Sequence, residues 1–277
     1  DYGNGEPKRL QIWKQSSKNF NVADADIVMD DNTAILTVNY LLAAGNLYIV
    51  TYKIYPSGVI KVNARFTSTD MQATETEVSE ATRMATFTPG NDEARKAAAK
   101  LNVPRIGVRF RLPAEMNKVE YFGRGPEENY IDRNAGTLIG LYKTTADKMY
   151  YNYVRPQENG HHTDTRWLSL SKKNGKGLTI MADSIIGFNA LRNSIEDFDS
   201  EEGLPHPRQW NNFSPEEIAN HDEEAARNVL RRMHHVNDIT PRDFVEVCID
   251  MKQQGLAGYN SCLLYTSPSP RDVEESR

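Results

Sequence analysis

The sequence predicts an all-β fold, an antiparallel β-sandwich, and three features carry that prediction. First, apolar residues recur at every second position: Tyr48, Val50, Tyr52 and Ile54 alternate with Ile49, Thr51, Lys53 and Tyr55, and Ile60, Val62, Ala64 and Phe66 alternate with Lys61, Asn63 and Arg65. Second, short turn signals separate such runs, Pro56-Ser57-Gly58 in one place and Asn174-Gly175 in another. Third, no strand–helix–strand rhythm calls for a parallel sheet.

Taken in order, Asp1–Pro7 reads as a Gly-containing loop and Arg9–Lys18 as a short amphipathic stretch. The Tyr48–Phe66 hairpin is expected to place one face on a core and the other in water. Thr67–Leu101 loses the alternation and reads as a charged surface crossing whose end suits a short helix. Ile106, Val108, Phe110 and Leu112 restore the strand period, with Arg109 and Arg111 on the other face. Leu138–Tyr142 and Tyr150–Val154 are predicted strands, followed by a polar loop over Pro156–Arg166. Trp167–Ser171 and Gly177–Ala182 form a second hairpin, in which Trp167 is expected in the core. Asp197–Asn212 reads as surface loop. Ser214 followed by Pro215 is a helix start, so Pro215–Met233 is the one substantial helix expected. Phe244–Met251 is a last strand, within which Cys248 reads as a buried apolar residue.

Composition narrows the function. The 277 residues carry 33 Lys and Arg against 38 Asp and Glu, a net charge of −5, so no nucleic acid or anionic membrane is indicated as a partner. No apolar run approaches a membrane span. Two cysteines do not make a disulfide framework. The tail Cys262–Asp272, CLLYTSPSPRD, departs from everything before it and resembles the translation of a transposase-type sequencing adapter. Residues 262–277 are therefore expected to be non-native, and residues 1–261, beginning on Asp, to be a piece of a longer protein.

The densest chemistry lies in Lys118–Arg133, KVEYFGRGPEENYIDR. A strand pattern breaks at Gly123, Gly125 and Pro126 and delivers Glu127, Glu128, Asn129, Tyr130, Asp132 and Arg133 into one short loop. Such a cluster suits a sugar-facing surface or a buried polar knot, and the knot is the simpler reading. A catalytic carboxyl pair drawn from Glu127, Glu128, Asp132 and Glu158 is disfavoured, because adjacent residues diverge. His161 and His162, after Glu158-Asn159-Gly160, suggest acid–base chemistry on a sugar ring, against the plainer expectation of a solvent-facing polar turn. No spacing of His, Cys or acids predicts a metal site. Trp13, Trp167 and Trp210, with Tyr2, Tyr130 and Tyr259, hint at sugar stacking.

YFGRGPEENYIDR, YVRPQENGHHTDTRWLSL and VEVCIDMKQQGLAGYNS, in this order, resemble the C-terminal small-chain region of bacterial β-galactosidases of glycoside hydrolase family 2. The resemblance runs from Asp1 to Ser261. Its signature residues here are Gly123, Gly125, Pro126, Glu128, Asn129, Tyr130, Asp132, Arg133, Glu158, Asn159, Gly160, Arg166 and Trp167. It implies a galactose-mutarotase-like supersandwich with one short helix-bearing insertion, Asp197–Asn228 being longer than the usual connection. It also implies that the catalytic glutamates lie on a (β/α)₈ barrel outside this sequence, so no catalytic residue is expected within it. Substrate contact is implied for Asp1, Tyr2, Gly3, Asn4 and Gly5, which resemble a mobile loop, and for Tyr259, Asn260 and Ser261. In the family a sugar-stacking Trp follows, where Cys262 stands here. The family's Mg and Na sites lie mostly outside this stretch. The implied partners are a galactoside, the barrel of the same protein and further copies of it, in a bacterial cytoplasm or periplasm. The alternative is a free-standing carbohydrate-binding or aldose mutarotase-like sandwich using Glu158, His161 and His162.

Overall fold

A computed structural model of the chain describes residues 12–14, 16, 19–42, 45–67, 103–153, 156–198 and 239–255. They fall into two compact units, residues up to 104 in the first and from 105 in the second. The predicted helix over Pro215–Met233 and almost all of Thr67–Leu101 lie outside the described residues. No described helix is long and apolar enough to cross a membrane.

The first unit holds an antiparallel meander of β1 (Asn21–Asp30), β2 (Thr33–Leu41), β3 (Leu47–Ile54) and β4 (Ile60–Thr67). The hairpin predicted over 48–66 is β3–β4, and its turn contains Gly58 at φ 84, a conformation that favours glycine. Val38 and Val50 face each other across β2 and β3 and are buried. Trp13 meets Phe66 edge-on, with ring centroids 6.0 Å apart. The expected core face is not buried along its whole length: Ile60 and Val62, at the turn end, are exposed, as is every residue of β1. Alternation marks which residues share a face, and says nothing of what covers that face.

The second unit is a six-stranded antiparallel sheet in the order β5 (Arg105–Pro113), β10 (Phe244–Gln253), β9 (Gly177–Leu191), β8 (His162–Ser171), β6 (Lys118–Gly125) and β7 (Leu138–Thr145). The all-β, antiparallel class expected from sequence is observed in both units. Alternate residues of four strands build the core of this second unit: Val119 and Tyr121, Leu168 and Leu170, Phe188 and Ala190, Val245 and Val247. A short helix α1 (Ala146–Met149), not predicted, closes over them with both its end residues buried. Each large apolar side chain buried this way contributes about 1.5–3 kcal/mol.

Three expectations are corrected here. Trp167 is not a core residue. Leu168 and Leu170 take the inward phase of β8, so Trp167 faces the other way, half-buried between its ladder partners Phe122 and Met181. Tyr150–Tyr153 form no strand; the Tyr151 amide donates instead to the side chain of Asn159 at 3.1 Å. The loop predicted to reach Arg166 ends at His161, since β8 already begins at His162. Cys248 is buried as expected, and burial pushes its thiol up to about 12.

Candidate functional site

The signature loop begins where β6 runs out. The glycines there answer to crowding. A Cβ at Gly123 would strike Thr165, and one at Gly125 would strike the Tyr121 hydroxyl and the Tyr142 ring. The Gly125–Pro126 peptide is cis.

Asn129, fully buried, ties the turn together with every hydrogen-bonding group its side chain has. Its Nδ2 donates to the carbonyls of Arg124 (3.2 Å) and Glu127 (3.0 Å). Its Oδ1 accepts from the amide (2.9 Å) and hydroxyl (2.6 Å) of Thr163 on β8. Its own amide donates to the His161 carbonyl at 2.7 Å. Glu128 works the same way on the next segment. It accepts from the Gly160 amide at 2.6 Å, from Arg133 Nη2 at 2.6 Å and from the Tyr153 hydroxyl. Arg133 also lies over the Tyr130 ring, and that ring stacks on His161 with centroids 5.3 Å apart. Arg124 pairs with Asp164 and donates to the Thr137 carbonyl at 2.8 Å.

The second motif, Glu158-Asn159-Gly160, locks into the first. Gly160 sits at φ 71, where a side chain would also strike the Met149 carbonyl and Leu191. Asn159 donates to the Gln157 carbonyl at 2.8 Å. Glu158 is held by Arg105 Nη1 at 3.3 Å and Asn189 Nδ2 at 3.3 Å. Arg105 also grips Asp250 through two bonds of 2.6 and 2.7 Å. Burial raises the pKa of both Glu158 and Asp250, and the Arg105 charge opposes that rise. Burial pulls Arg105 down, but the two carboxylates outweigh it and hold the guanidinium well above its usual value. With one cation set between two acids, the cluster compensates charge that burial would otherwise penalise.

The histidines depart most from expectation. His161 and His162 are both buried, not solvent-facing. His162 packs between Tyr121 and Phe188, with centroids 4.9 and 5.4 Å away, and its ring nitrogens face the Gly160 and Pro126 carbonyls. Its pKa is lowered by burial, partly offset by those carbonyls. His161 is lowered well below the usual range by burial and by Arg105. A neutral His161 stands 3.6 Å from Asp250, too far for a hydrogen bond and without an ion pair. A polar sequence environment suggested exposure; the aromatic rings that cover the histidines come from elsewhere in the chain, Tyr130 from the loop after β6 for His161, and Tyr121 of β6 and Phe188 of β9 for His162.

The structure thus brings together Gly123, Gly125, Pro126, Glu128, Asn129, Tyr130, Arg133, Glu158, Asn159 and Gly160 in one interlocked network. Arg166 and Trp167 sit farther along β8, Arg166 with its guanidinium 5.7 Å from the Phe122 ring centre. Glu127 is exposed and diverges from Glu128. Asp1–Gly5, Tyr259, Asn260, Ser261, His206, Trp210, His221, His234 and His235 lie outside the described residues. Sequence reasoning missed Arg105, Asp250, Tyr153 and Asn189. Asp250 carried a readable signal, an acid directly after the apolar run Val247–Ile249 in the middle of a strand, which requires a buried partner. Among the described residues, no group of three or more His, Cys, Asp or Glu is arranged to hold a metal ion.

Comparison with known proteins agrees with this motif set. Residues 1–272 match the family model described as Beta galactosidase small chain. The chain is 25% identical to a β-galactosidase of Priestia megaterium, over 97% of this chain and 20% of that protein. It is 37% identical to a β-galactosidase of an Arthrobacter species over 43% of this chain and 12% of that protein. It is 28% identical to one of Streptococcus thermophilus over 72% and 17%, respectively. The chain therefore spans only 12–20% of the length of these relatives.

Proposed function

From the premise that this chain belongs to the β-galactosidase small-chain family, we propose that it is the C-terminal domain of a retaining β-galactosidase. In this reading it helps form the pocket in which terminal β-D-galactosides such as lactose are hydrolysed. A retaining glycosidase needs one carboxylic acid to protonate the leaving oxygen and one carboxylate to attack the sugar. We place both on a (β/α)₈ barrel of the same protein, outside this chain. The domain would supply two rim segments, Asp1–Gly5 and Tyr259–Ser261. Metal ions used by the parent would be held mostly outside this chain, and the parent would assemble from several copies.

The observation that carries the reading is the family match along nearly the whole chain, with relatives that bear the β-galactosidase name. The chemistry of the network supports it. Glu128 and Glu158 are engaged by Arg133 and Arg105, and carboxylates so gripped are structural ties, not proton donors awaiting substrate. The test is hydrolysis of a chromogenic β-galactoside. The 277-residue chain alone is expected to give no turnover, and activity is expected once the missing barrel is supplied. Turnover by the chain alone overturns the proposal.

A further inference from the structure

The signature network holds two tyrosine rings that the chain does not bury. Tyr150 stacks on Phe198, with ring centroids 6.0 Å apart. Tyr151 and Tyr153 pair instead with each other, their rings 4.6 Å apart and inclined at 45°, and Tyr151 is 47% exposed. Both residues are fixed through their polar groups. The Tyr151 amide donates to Asn159 at 3.1 Å, and the Tyr153 amide donates to the Tyr151 carbonyl at 3.0 Å. The Tyr153 hydroxyl donates to Glu128 and accepts from Arg133 Nη2 at 2.8 Å. The Glu128 side chain is only 6% exposed and is itself fixed by the Gly160 amide. Arg133 is 54% exposed, and among the described residues only its Nη2 is engaged in hydrogen bonds, which leaves the Nε and Nη1 hydrogens for other acceptors.

Two fixed rings with free donors beside the Tyr153 hydroxyl suit one class of ligand. A pyranose presents an apolar C–H face to an aromatic ring and hydroxyl oxygens at its rim to a donor. The Arg133 charge is already met by Glu128, which favours a neutral ligand over an anion. In galactose the axial hydroxyl leaves several C–H groups gathered on the opposite face. We propose that Tyr151, Tyr153 and Arg133 form a carbohydrate-binding surface for a galactose-terminated saccharide, with Glu128 as its positioning residue. The choice of galactose rests on the reading above; the pairing of rings and guanidinium does not. Holding the rings through Glu128 and Asn159 lowers the ordering that binding would otherwise cost.

The test is calorimetric titration of the 277-residue chain with lactose. Binding is expected with a Kd of about 1–10 mM. Tyr151→Ala should weaken it about five- to tenfold, and Tyr151→Phe, which keeps the ring, should stay within about twofold. Tyr153→Phe keeps its ring but loses the hydroxyl held by Glu128 and Arg133, and should weaken binding about threefold. A purely structural pair would lower the melting temperature of Tyr151→Ala and leave lactose binding unchanged, which overturns the proposal. So does a folded, unsubstituted chain that binds no lactose. If Tyr151→Ala does not fold, saturation-transfer NMR on the unsubstituted chain decides: transfer concentrated on the C–H face of the galactose supports the surface, and uniform or absent transfer overturns it. Lactose binding that is lost in Tyr151→Ala, with no hydrolysis once the barrel is supplied, keeps the surface and removes the reading above. Restored hydrolysis with lactose binding unchanged in Tyr151→Ala removes the surface and keeps that reading.

Discussion

The two sheets use one device, antiparallel strands with apolar residues at alternate positions, yet the alternation achieves different things in each. In the six-stranded sheet, Val119 and Tyr121 of β6 and Leu168 and Leu170 of β8 join one buried cluster with residues of β9, β10 and helix α1, and Leu168 is 0% exposed. In the four-stranded meander, Val38 and Val50 are buried, but β1 is exposed throughout and Ile27 is 65% exposed. The six-stranded sheet also holds a buried polar network spanning residues from Arg105 to Asp250. Amphipathic strands are thus sufficient for a sheet. A core with a specific polar interior needs partners brought from far along the chain.

That contrast can be broken at its strongest point by Asn129→Ala. The substitution leaves two carbonyls, an amide and a hydroxyl without their partner in a buried turn, and is expected to destabilise the chain by about 4 kcal/mol. Urea unfolding followed by circular dichroism would measure it, and a loss below about 1 kcal/mol would mean that the network is not tight. Next, Leu168→Ala and Ile27→Ala delete apolar groups from the two sheets. The first should cost about 3 kcal/mol and the second less than about 0.5. Equal losses would mean that Ile27 is covered in solution.

The smallest effect concerns acid. Both histidines have lowered pKa values in the fold, so below their ordinary value of 6.5 the unfolded chain binds more protons. Their contribution is complete above pH 6.5 and declines as pH falls, by up to about 1.4 kcal/mol per pH unit for each ring. Glu158 and Asp250, raised by burial, act in the opposite sense: their contribution is full at low pH and is lost as pH rises through their folded values. His162→Leu removes one ring and leaves those acids in place. It should flatten the stability-versus-pH curve between pH 6.5 and 5 relative to the unsubstituted chain. An unchanged slope would mean that His162 is solvated.

Much of the fold was legible because strand signals are local. The period-two runs located β3, β4, β5 and β10 to within a few residues, and Asn174-Gly175 located the turn between β8 and β9. The motif residues were legible too, as an unusual density of Gly, Pro, Asn and acids. Their roles were not. Tyr150–Val154 looked like a strand because its residues suit one, but the Tyr153 hydroxyl and the Tyr151 amide are taken by Glu128 and Asn159.

By itself the sequence determined the all-β class, the positions of most strands, the signature motifs and, through them, the family. Tertiary structure alone decided which of Trp167 and Leu168 faces inward, that His161 and His162 are buried, and that β10 lies between β5 and β9. It also decided that Arg105 meets Asp250, and that Asp132 meets Gly255. The reason is physical. Periodicity follows from backbone geometry within a few residues, whereas the depth of a polar group and the partner that compensates it depend on strands more than a hundred positions away.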